Sequence, residues 1–230
     1  MAHTAEDQSL SDVRARYAAL GLVYYTPAEE VLNTLTHALG VLAAAVLAVC
    51  MLRRATTPMS VAVAVLSCAL WGLQFGISAA YHGCRHLPRK AVWRRVDYAA
   101  VSLNVLACGT AFSLLYGRVY GYVALGLGLA IAVAMLVWCL VRFERARPWA
   151  VAAAFVVGGL MFGSFLSAYF APGGIVCRYP VVWLHLAGLS CSLAGAAIFG
   201  VHRPFVHSVF HVLVLAGPIL CAVGNLYQLT

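Results

Sequence analysis

The chain has 230 residues, 63% of them hydrophobic and 10% charged, with a mean hydropathy of +0.91. A soluble domain carries about 45–50% apolar and about 25% charged residues, and a globule of this size cannot hide such an apolar excess. Disorder, collagen, a disulfide scaffold and nucleic-acid binding are excluded, and an all-α integral membrane protein is expected. The net charge of +8 then reports orientation and lipid headgroup contact, with no nucleic-acid partner.

Residues 1–30 read as a cytoplasmic tail. Glu6, Asp7 and Asp12 are unlike a signal peptide. Leu10, Val13, Tyr17, Leu20 and Tyr24 recur at helical spacing with Arg14 and Arg16 among them. That pattern fits a short helix lying in the membrane interface, and equally a partly ordered tail. Residues 31–230 read as a seven-helix transmembrane domain. A crossing helix needs about 20 apolar residues, and seven stretches qualify: Val31–Leu52, Ser60–His82, Asp97–Tyr116, Val119–Val141, Trp149–Phe170, Val181–Val201 and Phe205–Tyr227. Breakers fall between them at Pro58, Pro88, Pro148, Pro172, Pro180 and Pro204. A β-barrel would show alternating segments of about 10 residues; these runs are continuous and longer. The eight cysteines have no CxxC spacing and read as small buried hydrophobes.

Orientation follows from the basic residues. With the N-terminus on one side, that side collects Arg14, Arg16, Arg85, Arg89, Lys90, Arg94, Arg95, Arg142, Arg145, Arg147 and Arg203. The other side collects Arg53, Arg54, Arg118 and Arg178. The positive-inside rule places the N-terminus in the cytoplasm and the C-terminus on the extracellular or periplasmic side.

Ionisable groups at membrane depth are costly and point to function. Glu30, Asn33 and His37 share one face at the start of the first span. Ser78 and His82 end the second span, with Gln74 one turn deeper. Asp97 begins the third, and His207 and His211 begin the seventh. Four spans thus bring polar groups to one level. Two histidines four apart rise about 6 Å on one helix face and can share a metal. A third histidine from a facing helix makes a His₃ site, and three protein ligands with an open position is the pattern of catalytic zinc. Asp97 could hold the water and move protons. Each feature alone has a plainer reading. An HxxxH pair also serves interhelical hydrogen bonding, Asp97 could pair with Arg94 or Arg95, and Ser78 could be a packing residue. His185 lies too far toward the outer side. His3, His86 and His202 lie in the tail or in polar loops, with His86 a reserve ligand.

At these residues the chain resembles the haemolysin III proteins, the bacterial branch of the progestin and adipoQ receptor family. The matching segments are Glu29-Glu30-Val-Leu-Asn33-Thr-Leu-Thr36-His37-Ala-Leu-Gly40, Ser78-Ala-Ala-Tyr81-His82, Asp97-Tyr-Ala-Ala-Val101 with Gly109-Thr110, and His207-Ser-Val-Phe-His211-Val-Leu-Val-Leu-Ala-Gly217. The resemblance runs from about Thr26 to the end. It implies a seven-helix bundle with a cytoplasmic N-terminus. It also implies zinc on His82, His207 and His211 near the cytoplasmic leaflet, with Ser78 and Asp97 alongside. Alkaline ceramidases are similar in this constellation, which implies hydrolysis of a lipid amide. The family name implies haemolysis, and the eukaryotic relatives imply a receptor. Ala111-Phe112-Ser113 depart from the Tyr-Thr-Pro-like run expected after Gly109-Thr110.

The leading expectation is a zinc-dependent lipid hydrolase of the cell membrane, acting on an amide or ester of a long-chain lipid. Catalysis would rest on Asp97 and Ser78, metal binding on His82, His207 and His211, and support on Glu30, Asn33 and His37. A receptor or membrane regulator with structural zinc is the second reading. A pore finds little support, because the fourth and fifth spans carry no charge. Haem is disfavoured because histidines four apart on one helix cannot reach opposite faces of the ring. The eleven-to-four bias set out above predicts that a C-terminal reporter active only in the cytoplasm stays silent; strong signal from it would invert the bundle.

Overall fold

The computed structural model describes residues 5–116, 119–171, 179–201 and 203–229, and among these all regular structure is helical. The helices are α1 (Ala5–Ala19), α2 (Pro27–Arg54), α3 (Pro58–Gly83), α4 (Leu87–Leu115), α5 (Val119–Tyr169), α6 (Tyr179–Ile198) and α7 (Val206–Leu226). Six of them, α2 to α7, are long and apolar enough to cross a membrane. The 51 residues of α5 would reach about 76 Å as one straight rod, against a bilayer core of about 30 Å. The backbone leaves the helical region at Arg142, with φ −139° and ψ 58°. The Tyr120 hydroxyl donates to the Leu160 carbonyl at 3.4 Å, from 40 residues away. The chain therefore reverses at Arg142. The expected fourth and fifth spans are the two antiparallel arms of α5, residues 119–141 and 143–169.

Local chemistry sets the helix starts. Thr26 and Glu29 close a capping box, with Pro27 in the first turn of α2. The helix so begins before Val31 and includes Glu30. The largest departure is at α4, which starts ten residues before the expected Asp97. Pro88, expected as a breaker, sits in the first turn, where a missing N–H costs nothing. The His86 ring accepts from the Arg89 N–H at 3.4 Å and caps the helix. Asp97 therefore lies in the third turn of α4.

The tail does form a helix, α1, but its apolar residues are not gathered under the bundle: Leu10 and Leu20 are exposed, and Val13 and Tyr17 half-buried. It ends in a Schellman turn. Gly21, at φ +65°, donates to the Ala18 carbonyl, and Leu22 donates to that of Tyr17. All described cysteines are free, and Cys68, Cys139 and Cys221 are buried. Cys50 departs from the expected burial: it is exposed, on the outward face of α2 that also exposes Leu42, Val46 and Val49. Cys177, His3 and His202 lie outside the described residues.

Helix α4 is the hub. More than half of its apolar window, 56%, is buried, and it packs against α3, α5 and α7. Helix α6 packs most closely on α7, and at its start Val181 meets Phe112, Phe165 and Ala168. A Cβ on Gly188 would stand 2.7 Å from the Gly217 carbonyl, and one on Gly217 2.9 Å from that of Gly188. Only hydrogen fits at this crossing, as at small-residue contacts between membrane helices. Between α6, α4 and the second arm of α5 a cavity of about 350 Å³ remains.

Gly217→Ala is expected to destabilise the protein by about 1–3 kcal/mol through overpacking. Gly126 has nothing within 4 Å of its would-be Cβ, so Gly126→Ala should instead gain up to about 1 kcal/mol from helix propensity. Thermal melts of the two variants in one detergent check the opposite signs.

Candidate metal centre

The start of α7 is fastened to the start of α2 by one acid. Glu29 Oε2 accepts from the Thr26 backbone at 2.9 Å and from its hydroxyl at 2.7 Å. Its other oxygen accepts from the Phe205 N–H at 2.8 Å. Phe205 holds a left-handed φ of 60°, a costly conformation for an aromatic residue, and α7 begins at the next residue. One turn further in, the Ser208 hydroxyl donates to Asn33 Oδ1 at 2.7 Å. These bonds set the register of α7 against α2 and so aim His207 and His211.

His82, His207 and His211 meet there. Each offers one ring nitrogen, and the three lie within 4.8 Å of one another. Nε2 of His211 stands 2.9 Å from Nε2 of His207. Nε2 of His82 is buried without a partner. A tetrahedral zinc with bonds of about 2.0–2.1 Å holds its nitrogens about 3.3 Å apart, so these rings already converge on one small volume. Neutral imidazoles suit zinc, copper, iron or nickel better than calcium or magnesium. The residues present thus fit a metal of the zinc type, held by His82, His207 and His211.

The groups around the rings decide which nitrogens are bare. Nδ1 of His82 lies 2.8 Å from Glu30 Oε2. The Asn33 amide nitrogen is 3.5 Å from the same atom. Two donors cannot bond each other, and the shorter carboxylate contact governs, so Nδ1–H donates to Glu30. The second Glu30 oxygen pairs with Lys90 Nζ at 2.9 Å. Lys90 is 1% exposed and also donates to the carbonyls of Tyr81 at 2.8 Å and His82 at 3.2 Å. Sequence reading counts Lys90 only as a loop charge. Once α4 is extended back to Leu87, Lys90, Arg94 and Asp97 fall at steps of four and three on one face, and that stripe is the signal the late helix start concealed.

Asp97 and Ser78 are brought together. The Ser78 side chain lies close to the Asp97 carboxylate, and neither Arg94 nor Arg95 makes an ion pair with Asp97 among the described residues. Arg94 instead lies over the rings of Tyr98 and Phe143 and donates to the Gly21 carbonyl. Both Asp97 and Ser78 line the cavity, together with His37, Gln74, His207 and His211. From this polar end the cavity continues past Val105, Phe112, Met161 and Phe165 to His185. His185 is bonded to Asn225 at 3.0 Å, eighteen residues along α7 from His207, or about 27 Å of helix. His185 is thus remote from the three convergent rings. His37 stacks edge-on against His211 at 4.1 Å, but its nitrogens are not in the convergent set. His86 is the cap of α4. Tyr25 carries no motif or spacing that marks it in the sequence. Its ring stacks on His207 at 4.7 Å and covers the cluster, and burial pushes its phenol above the usual range, so it remains a hydroxyl donor.

The chain matches the family described as haemolysin-III related over residues 25–222, and it belongs to that family. No curated protein and no solved structure matches it significantly.

Purified protein is expected to carry one zinc per chain. His207→Ala with His211→Ala should abolish it and lower the melting temperature, because the ion ties α3 to α7. Metal analysis beside thermal melts checks both; an equal metal content in the double variant would remove the site.

Proposed function

We propose that this member of the haemolysin-III-related family, a multi-pass membrane protein, is a zinc-dependent hydrolase of long-chain lipid amides or esters. One observation carries the reading. Three imidazoles lie within 4.8 Å of one another, and two of them, His207 and His211, line the polar end of a cavity whose remaining length is largely apolar and which is also lined by Ser78 and Asp97. A volume of about 350 Å³ lies within the range of sites for small ligands. With the N-terminus cytoplasmic, the site lies near the inner leaflet.

Zinc bound there supplies Lewis acidity toward a carbonyl and toward water. The chain does the rest. His82, His207 and His211 fix the ion. Asp97 accepts the proton of the attacking water and returns it to the departing amine or alcohol. Ser78 holds the Asp97 carboxylate in one orientation. Tyr25, protonated and stacked over His207, closes the mouth and excludes bulk water. The apolar wall, with Phe112 and Phe165 set edge to face at 5.1 Å, takes the hydrocarbon chain. Glu30, Asn33 and His37 support the metal-binding helices.

A receptor or regulator with structural zinc would need a closed site. His37 is the group nearest to closing it, since both its ring nitrogens lack partners. Only three rings converge among the described residues, which favours an open coordination position and so the enzyme.

Asp97→Asn separates the two. Zinc should stay bound while hydrolysis of a long-chain ceramide or ester falls by about 10²–10⁴. Turnover assays beside metal analysis read this. Loss of zinc in Asp97→Asn would make Asp97 a ligand and the site closed. Absence of turnover by wild type on every lipid amide and ester tried would favour the receptor.

A further inference from the structure

Lys90 is the most costly residue in the bundle that the mechanism above leaves without a task. A cation in an apolar interior is expensive unless fully engaged, yet Lys90 is 1% exposed. We propose that Lys90 is a positioning residue for the metal centre: through Glu30 it fixes which nitrogen of His82 is bare and where that nitrogen points. The proposal rests on the metal reading and names a part of the site that reading does not use.

The geometry runs in one direction. Lys90 hydrogen-bonds the carbonyls of Tyr81 and His82 at 2.8 and 3.2 Å. These belong to the last turn of α3, where carbonyls lack the regular helical partner and that of Tyr81 has only the Cys84 N–H at 3.4 Å besides. The Tyr81 ring lies 4.6 Å from the ammonium and braces its other side. So held, the charge faces Glu30 Oε1 at 2.9 Å. A carboxylate only accepts, so Oε2, 2.8 Å from His82 Nδ1, requires the His82 proton on Nδ1. The bare nitrogen is then Nε2, the buried atom of that ring without a partner, and the ring is one of the three that converge. Remove the ammonium, and Glu30, with its side chain 15% exposed, is a carboxylate without a counter-charge. It turns toward water, His82 Nδ1 loses its acceptor, and the ring is free to rotate or change tautomer. Groups that orient a metal-binding histidine in this way typically change metal affinity by about 10–100-fold when removed.

Lys90 also caps α3, and a purely structural role must be told apart from positioning. Wild type, Lys90→Met, Glu30→Gln and the double variant are compared in detergent. Zinc affinity is measured by competition with a chromophoric chelator, and the His82 ring is read by 15N NMR of metal-free protein. Each single variant should bind zinc about 10–100-fold more weakly, and the double variant no more weakly than the worse single. Metal-free wild type should show His82 protonated at Nδ1 alone, and Lys90→Met a mixture of tautomers. Lys90→Gln keeps an N–H donor for the α3 carbonyls but no charge, and should lose zinc affinity as Lys90→Met does; it serves where Lys90→Met does not fold. Unchanged or tighter zinc binding in both Lys90 variants overturns the proposal, as does a Lys90 effect that simply adds to that of Glu30→Gln. Wild type that binds no zinc would defeat the metal reading, and the NMR comparison then still decides whether Lys90 sets the His82 ring.

Discussion

One carboxylate is shared by two other helices. Glu30 on α2 accepts from His82 on α3 and pairs with Lys90 on α4. In an apolar solvent no water stands ready to replace a missing partner, so each polar group buried at this end must find another one. Glu29 does the same between α2 and the start of α7, and Asn33 repeats it one turn deeper through Ser208. Four helix ends are thereby locked in register by bonds that have no substitute in lipid. The convergence of three imidazoles is a consequence of that register.

The rest of the bundle is held by shape. Gly188 and Gly217 let α6 and α7 touch backbone to backbone, and α4 is packed into the centre by α3, α5 and α7. Because α6 is committed to α7, it leaves space beside the second arm of α5. That space becomes the cavity, polar at the histidine end and lined by Phe112, Met161 and Phe165 further on. The polar end presents Asp97, Ser78, Gln74, His37, His207 and His211.

Much of this was legible in the residues. Apolar run length located every long apolar helix, including the two arms that the structure joins into α5, because desolvation of the backbone imposes length whatever the packing. Steps of three and four placed Glu30, Asn33 and His37 on one face, as they did His207 with His211 and Ser78 with His82. Hydropathy served less well at the start of α4. A basic stretch with a proline looks like a loop, yet Pro88 is harmless in a first turn and the lysine behind it is buried by partners from other helices. Cys50 likewise lies in an apolar run that faces outward, since in a membrane apolar does not mean interior.

The sequence by itself determined that the chain belongs in a membrane, how many apolar segments it has and which ionisable groups share a helix face. These follow from transfer energies and helical periodicity, which are local. Only the tertiary structure decided that α5 folds back at Arg142, that Lys90 pairs with Glu30, that Tyr25 covers His207 and that His37 stands beside the convergent rings without joining them. Each of these is a pairing between residues distant in the chain. Such pairings depend on how helices rotate and slide against one another, which no single stretch of sequence specifies.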